Sequence, residues 1–222
     1  MKPRSVVAID GAAGSGKSTL ARALARRFGL AYVNTGLMYR ALAAAAIRAQ
    51  VSPDEPEALL RLTEALRYRL AGSDPPLLEV EGYTLEDLTT LEVESTVSSV
   101  ARHPLVRAAM CAKQRDLGGD GAVMEGRDIG SVVFPDAAVK LYLVADPATR
   151  AERRAEERTH DDAVVAQALR RRDALDARTN AFAPPEGAEV LDTGRLDAEA
   201  TLEAAVEIVA RRAPWLSERS SR

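Results

Sequence analysis

The sequence predicts an α/β fold of three layers, in which helices cover both faces of a parallel five-stranded sheet. Two observations predict it. Short apolar runs alternate with longer amphipathic segments, which is the pattern of parallel strands joined by crossover helices. The first apolar run also leads directly into a glycine-rich segment that opens a helix. At 222 residues, the chain is long enough for a single domain, 1–222, with a sizeable core.

The elements follow in order along the chain. The predicted strands lie at 6–9, 31–33, 122–124, 139–144 and 189–191. The predicted helices lie at 17–28, 37–49, 56–70, 104–117, 148–157, 162–177 and 198–212. In the first helix, Leu20, Leu24 and Phe28 recur every four residues and form one buried stripe, and Gly29 is placed to end it.

One segment, 68–99, interrupts this alternation. Residues 78–83 read Leu-Glu-Val-Glu-Gly-Tyr, and alternation followed by glycine predicts a strand of a small antiparallel hairpin. We interpret 68–99 as a small subdomain inserted into the α/β core. It is either a surface addition or a wall over a second substrate.

Composition excludes several classes of protein. The net charge of −3 argues against broad affinity for nucleic-acid backbones, which requires a basic surface. Cys111 is the single cysteine, so no intrachain disulfide can form, and a reducing cytoplasmic location is expected. No stretch approaches the length of a membrane span. We therefore expect small-molecule partners rather than nucleic acid or membrane.

Residues 11–19 read G-A-A-G-S-G-K-S-T and fit the phosphate-binding pattern G-x-x-x-x-G-K-[ST]. Glycines let backbone N–H groups turn inward around phosphate oxygens, and the following helix directs its positive end at the same anion. Lys17 is expected to reach the β- and γ-phosphates, and Ser18 to ligate Mg²⁺. The predicted ATP-binding residues are Gly11, Ala12, Ala13, Gly14, Ser15, Gly16, Lys17, Ser18 and Thr19.

The loop predicts a nucleotide but not a reaction. One class it leaves open is a switch that hydrolyses the nucleotide, and the other is a kinase that phosphorylates a small acceptor. Switches usually carry a guanine-reading motif of the N-K-x-D type, which the sequence lacks.

Three polar clusters favour an acceptor site. Thr35 can cap the helix that carries Arg40, which begins at the carboxyl edge of the sheet, where ligands of open α/β folds bind. Residues 125–128, Glu-Gly-Arg-Asp, follow a predicted strand at the same edge. An arginine-rich pair of helices spans 150–178, and part of it is expected to face the cleft, because phosphoryl transfer needs cations over the transferring group.

The motifs GAAGSGKST, NTGLMYRA, SSVARHPLVR, EGRDIGSVVFPDAAVKLYL, RAERR and RRDALDAR follow in the order seen in bacterial cytidylate (CMP) kinases, which this chain resembles from residue 6 to about 192. The resemblance implies a P-loop kinase with a helical lid at about 150–182, acting in pyrimidine nucleotide metabolism. It implies transfer of a phosphoryl group from ATP, with Mg²⁺, to CMP or dCMP by a monomer.

The resemblance also implies roles for individual residues. The CMP-binding residues it implies are Thr35, Tyr39, Arg40, Ser98, Arg107, Arg127, Asp128, Asp176 and Arg178. Among them, Ser98 reads cytosine, Arg127 contacts the acceptor phosphate and Asp176 contacts the sugar. The catalytic residues it implies are Lys17, Arg127, Arg154 and Arg158.

The chain departs from the family pattern at several positions. Glu125 stands where the family commonly has aspartate, and Thr179 stands where it has arginine, so that Arg178 comes one residue early. A P-loop kinase for another acceptor, such as shikimate or dephospho-coenzyme A, is a second hypothesis. The inserted hairpin and the G-R-D-I-G element argue against it.

Overall fold

A computed structural model describes residues 5–119, 121–156, 174 and 183–219, apart from the side chains of residues 154, 156, 218 and 219. Seven strands form one sheet in the order β3-β4-β2-β5-β1-β6-β7. The strands are β1 Val7–Gly11, β2 Ala31–Asn34, β3 Tyr68–Ala71, β4 Leu77–Val80, β5 Ala122–Gly126, β6 Val139–Val144 and β7 Glu189–Asp192.

Helices connect the strands of the described part. They are α1 Lys17–Phe28, α2 Thr35–Arg48, α3 Pro56–Ala65, α4 Leu91–Ala101, α5 Pro104–Gly118, α6 Pro147–Glu156, α7 Ala198–Arg212 and α8 Pro214–Arg219. A single π-helical turn, Ile129–Val133, follows β5. Gly29 ends α1 with a φ of 60°, a left-handed conformation that suits glycine, as the sequence predicts.

The five predicted parallel strands are confirmed. The central strand β1 pairs in parallel with β5 and with β6, and β5 also pairs with β2. In this register Asp10 lies opposite Gly126, and Asn34 lies opposite Glu125. The carboxyl ends of three strands therefore meet at one edge, beside the glycine-rich loop.

The hairpin is part of this sheet, and here the predicted five-stranded sheet needs correction. Strands β3 and β4 pair antiparallel, and β4 continues the main sheet because Leu77 pairs in parallel with Tyr32. The backbone N–H of Tyr32 also donates to the carbonyl of Pro76 at 2.8 Å. The helix predicted at 56–70 ends at Ala65, because the residues after it enter this hairpin.

The sheet separates two apolar cores. Alternate residues of β1 point to opposite faces, so that Ala8 packs with α2, α4 and α5, whereas Val7 and Ile9 pack with α1 and α7. The two buried faces hold the strand ends, and hence the loops that follow them, in fixed positions. Among the described helices, none is both long and apolar enough to cross a membrane.

Candidate active site

The glycine-rich loop joins β1 to α1 and forms the first wall of the site. Gly14 and Gly16 have φ values of 75° and 83°, which glycine adopts without strain. The ammonium group of Lys17 donates to the loop carbonyl of Ala12 at 2.6 Å. The predicted loop conformation, with its lysine at the start of a helix, is therefore present.

Helix α6 and the end of β7 support the loop from behind. Arg150 Nη1 donates to the carbonyl of Ala13 at 3.3 Å. Arg153 donates to the Thr193 hydroxyl at 3.1 Å and to its carbonyl at 2.6 Å, and that hydroxyl donates to the carbonyl of Ser15 at 3.1 Å. Two arginines of the predicted lid segment, Arg150 and Arg153, thus contact the loop or the residue that supports it.

A cleft of about 180 Å³ faces the loop and is lined by residues of α1, β2, α2, α4, α5 and β5 and of the loops beside them. Every described residue of the predicted CMP set lies on it, together with loop residues. These lining residues are Ala13, Gly14, Lys17, Ser18, Thr35, Tyr39, Arg40, Ser98, Arg107, Arg127 and Asp128. The predicted Arg158, Asp176 and Arg178, and the side chain of Arg154, lie outside the described part of the chain.

An ion pair between Arg107 of α5 and Asp128 forms one wall of the cleft. Both side chains are largely buried, and burial raises the pKa of the Asp128 carboxyl while the Arg107 guanidinium opposes that rise. Tyr39 lies nearby, and burial raises the pKa of its phenol too. A carboxylate, a guanidinium and the hydroxyl of Ser98 therefore line one cleft, where they can act as hydrogen-bonding groups for a polar ring.

Helix α2 enters the site with a cap other than the predicted one. Asn34 Oδ1 accepts from the backbone N–H of Leu37 at 3.3 Å, so Asn34 and not Thr35 caps the helix. The Thr35 hydroxyl instead donates to the carbonyl of Glu125 at 2.7 Å. Thr35 thereby joins the start of α2 to the end of β5 and is buried on the cleft floor.

Glu125 accepts two hydrogen bonds that the sequence analysis did not predict. Ser18 Oγ donates to its Oε2 at 3.0 Å, and the Tyr32 hydroxyl donates to its Oε1. Burial, and the carboxylate beside it, raise the pKa of the Tyr32 phenol. The sequence places Asn34 and Glu125 at the carboxyl ends of two predicted strands, which indicates that both lie at the same edge of the sheet. It does not indicate that Ser18 and Tyr32 donate to Glu125.

Asp10, at the end of β1, is a second residue that sequence reasoning missed. Its carboxylate accepts from the backbone N–H groups of Ile129 and Gly130, each at 2.8 Å. Burial raises its pKa to about 6, although these two hydrogen bonds oppose the rise. Arg127 Nη1 donates to the carbonyl of Gly11 at 3.0 Å. These hydrogen bonds therefore connect the segment after β5, which carries Arg127, Ile129 and Gly130, to Asp10 and Gly11 at the start of the glycine-rich loop.

The family comparison gives a direct match. A family model described as cytidylate kinase matches residues 7–211.

The chain belongs to the cytidylate kinase family.

The relatives agree. The chain is 45% identical to a cytidylate kinase of Thermus thermophilus over 86% of its own length and 91% of that protein. It is 42% identical to a cytidylate kinase of Granulibacter bethesdensis over 95% and 99% of the two lengths. A crystal structure of a sugar kinase from Janibacter shares the fold with a TM-score of 0.50 at 19% identity, covering 97% and 99% of the two chains.

Membership in the cytidylate kinase family confirms the predicted activity, which is phosphorylation of CMP and dCMP. It also confirms the predicted class of nucleotide-binding transferase. The switch hypothesis and the hypothesis of a kinase for shikimate or dephospho-coenzyme A are thereby set aside.

Proposed function

We propose that this cytidylate kinase family member performs an in-line transfer across one cleft, with the donor on the glycine-rich loop and the acceptor beside α2, α4 and α5. An oxygen of the acceptor phosphate attacks the γ-phosphorus of ATP. The bond from that phosphorus to the β–γ bridging oxygen breaks, leaving ADP and CDP or dCDP. The observation that carries the proposal is that loop residues and seven residues of the predicted acceptor set line the same cleft.

The donor half is built from Lys17 and the loop amides, which hold phosphate oxygens. Mg²⁺ fits this half, because Ser18 and Glu125 place a hydroxyl and a carboxylate 3.0 Å apart, and hard cations prefer such oxygen donors. Ser18 would hold the cation and Glu125 would orient the Ser18 hydroxyl. When bound, Mg²⁺ neutralises charge on the β- and γ-phosphate oxygens. In the described part of the chain, no cluster of three or more His, Cys, Asp or Glu side chains could by itself hold a metal ion.

The acceptor half holds the phosphate with Arg40, Arg107 and Arg127. Guanidinium groups suit this role because their planar donors match phosphate oxygens, and fixed positioning of both phosphates lowers the barrier. Ser98 and Asp128 read the base. Cytosine carries an exocyclic amine that can donate to the carboxylate of Asp128, whereas uracil presents an oxygen at that position.

The segments 68–99 and 150–182 complete the proposal. We assign 68–99 as the acceptor-side wall and 150–182 as the lid, whose Arg154 and Arg158 close over the transferring group. Asp176 and Arg178 are assigned to the acceptor sugar and phosphate. Closure excludes water that would otherwise hydrolyse ATP. Both halves of the cleft belong to one chain, so a monomer is sufficient for the reaction.

Steady-state ADP production tests the proposal, with CMP, dCMP, UMP, AMP, shikimate and dephospho-coenzyme A as acceptors. We expect kcat/KM to be highest with CMP or dCMP, and little ADP without acceptor. Equal or higher rates with UMP or AMP would overturn the assignment of the base-reading residues.

A further inference from the structure

Arg40, the proposed phosphate ligand on α2, is paired with a carboxylate of α4. Its Nη2 lies 3.4 Å from Oε1 of Glu94, and each side chain is only 14% exposed. Glu94 lies one turn before Ser98 on the same helix, so the two residues share a face. Ser98 and Arg40 both line the cleft, which places the Glu94 carboxylate at the acceptor half.

The pair matters because the acceptor brings its own anion to the same guanidinium. A largely buried ion pair is less screened than a surface pair, so the Glu94 carboxylate offsets part of the positive charge that would attract a phosphate. A phosphate that reaches Arg40 must also approach this carboxylate. Two anions at one guanidinium repel each other, and the repulsion lowers the net gain on binding.

We propose that Glu94 competes with the acceptor phosphate for Arg40 and thereby limits the affinity of the enzyme for nucleoside monophosphates. This inference rests on the proposed function, which assigns Arg40 to that phosphate. In the free protein Glu94 neutralises the largely buried guanidinium of Arg40, whose charge is costly to leave without a counterion. When the acceptor binds, its phosphate takes over that neutralisation. Loose acceptor binding also speeds release of the phosphorylated product, which carries the same phosphate.

The opposite effect would follow if Glu94 only oriented Arg40. Removing the carboxylate would then release the guanidinium from its position, and CMP binding would weaken. The two roles therefore predict changes of opposite sign in one measurement.

The experiment measures the dissociation constant of CMP by calorimetry on the full-length protein, for wild type and for Glu94→Gln and Glu94→Ala. Two neutral variants are used because either one could fold poorly, and thermal unfolding shows which are native. We expect both to bind CMP about 5- to 30-fold more tightly, which is part of the strength of a charge-assisted contact, because Glu94 offsets only part of the charge of Arg40. Cytidine, which lacks the phosphate, should bind wild type and variants equally.

Glu92 provides the matched control. It lies on the same helix and is exposed, so Glu92→Gln removes the same charge away from Arg40, and CMP affinity should stay within about twofold of wild type. Weaker or unchanged CMP binding in the Glu94 variants would overturn the inference. So would equal tightening in Glu92→Gln, because the effect would then be one of net charge.

Arg40→Ala separates failure of this inference from failure of the proposed function. If Arg40→Ala leaves CMP affinity unchanged, the assignment of Arg40 to the phosphate is wrong and the inference falls with it. If Arg40→Ala weakens CMP binding and the Glu94 variants do not tighten it, only the competition is wrong. In the double variant Arg40→Ala/Glu94→Gln, the tightening caused by Glu94→Gln should disappear.

Discussion

The carboxylate of Asp10 holds the backbone of Gly130, whose N–H lies 2.8 Å from Oδ2. The neighbouring N–H of Ile129 donates to the other oxygen at the same distance. Asp10 precedes the donor loop, and Ile129 follows the pair Arg127 and Asp128 of the acceptor half. One buried side chain therefore links the two halves of the cleft.

Asp10 should make the stability of the protein depend on pH. Its pKa is raised from 3.8 to about 6 by burial, so between these values the folded protein holds a proton that the unfolded chain has lost. The stabilising contribution of the protonated group is complete below about pH 4 and is lost as the pH rises through 6. The expected loss is about 3 kcal/mol.

Urea unfolding of wild type and Asp10→Asn between about pH 4.5 and about pH 7.5 measures this contribution. The advantage of wild type over the variant should shrink as the pH rises and become constant above about 7. Asp116→Asn, an exposed change on α5, is the control and should follow the wild-type dependence. If the free energies of unfolding of wild type and Asp10→Asn differed by the same amount at every pH, the raised pKa of Asp10 would be contradicted.

Arg127 is expected to serve the acceptor rather than the donor. In Arg127→Ala, kcat/KM for CMP should fall by about 10²- to 10³-fold because a charged contact to the phosphate is lost, while the ATP dissociation constant stays within a few-fold. Steady-state kinetics and calorimetry with ATP give the two values. Arg195→Ala, which removes an exposed arginine, serves as the control. Loss of ATP binding alone would show that the contact to the Gly11 carbonyl is its main role.

Asp128 should set the preference for cytosine. Asp128→Asn replaces an acceptor with an amide that can also donate to the oxygen of uracil, so the ratio of kcat/KM for CMP to that for UMP should fall at least about tenfold. The unfolding free energy should also fall by about 1–3 kcal/mol, since Arg107 loses its ionised partner. An unchanged CMP-to-UMP ratio with reduced stability would leave Asp128 with a structural role only.

Gly14 tests the support that α6 gives to the loop. A Cβ at this position would lie 2.6 Å from the carbonyl oxygen of Arg150, and φ is 75°. Gly14→Ala should therefore weaken ATP binding at least about tenfold, because the loop or α6 must shift. Gly187 has nearly the same φ, 74°, and nothing within 4 Å of an added Cβ, so Gly187→Ala isolates the cost of backbone strain. If Gly14→Ala and Gly187→Ala bound ATP equally well, the close approach of Gly14 to the Arg150 carbonyl would not matter for ATP binding.

Features of this protein that depend on local pattern could be predicted from the order of its residues. Alternation of apolar runs predicts the five parallel strands, because each strand and helix must bury one face or both. The spacing of glycines before Lys17 predicts the loop, because the backbone conformation there requires them. The predicted residues around Arg40 and Arg127 do line one cleft, because parallel strands bring their carboxyl ends to one edge.

The hydrogen-bond and ion-pair partners of the site residues could be identified only in the folded chain. The sequence predicts Thr35 as the cap of α2, whereas in the folded protein β5 approaches so closely that Thr35 donates to the carbonyl of Glu125, and Asn34 caps the helix. The contacts of Asp10 with Gly130 and of Arg40 with Glu94 join residues far apart in the chain. The type of a side chain limits which groups it can bind. Which residue lies next to it in the fold depends on sheet register and helix packing, and no local sequence pattern encodes these.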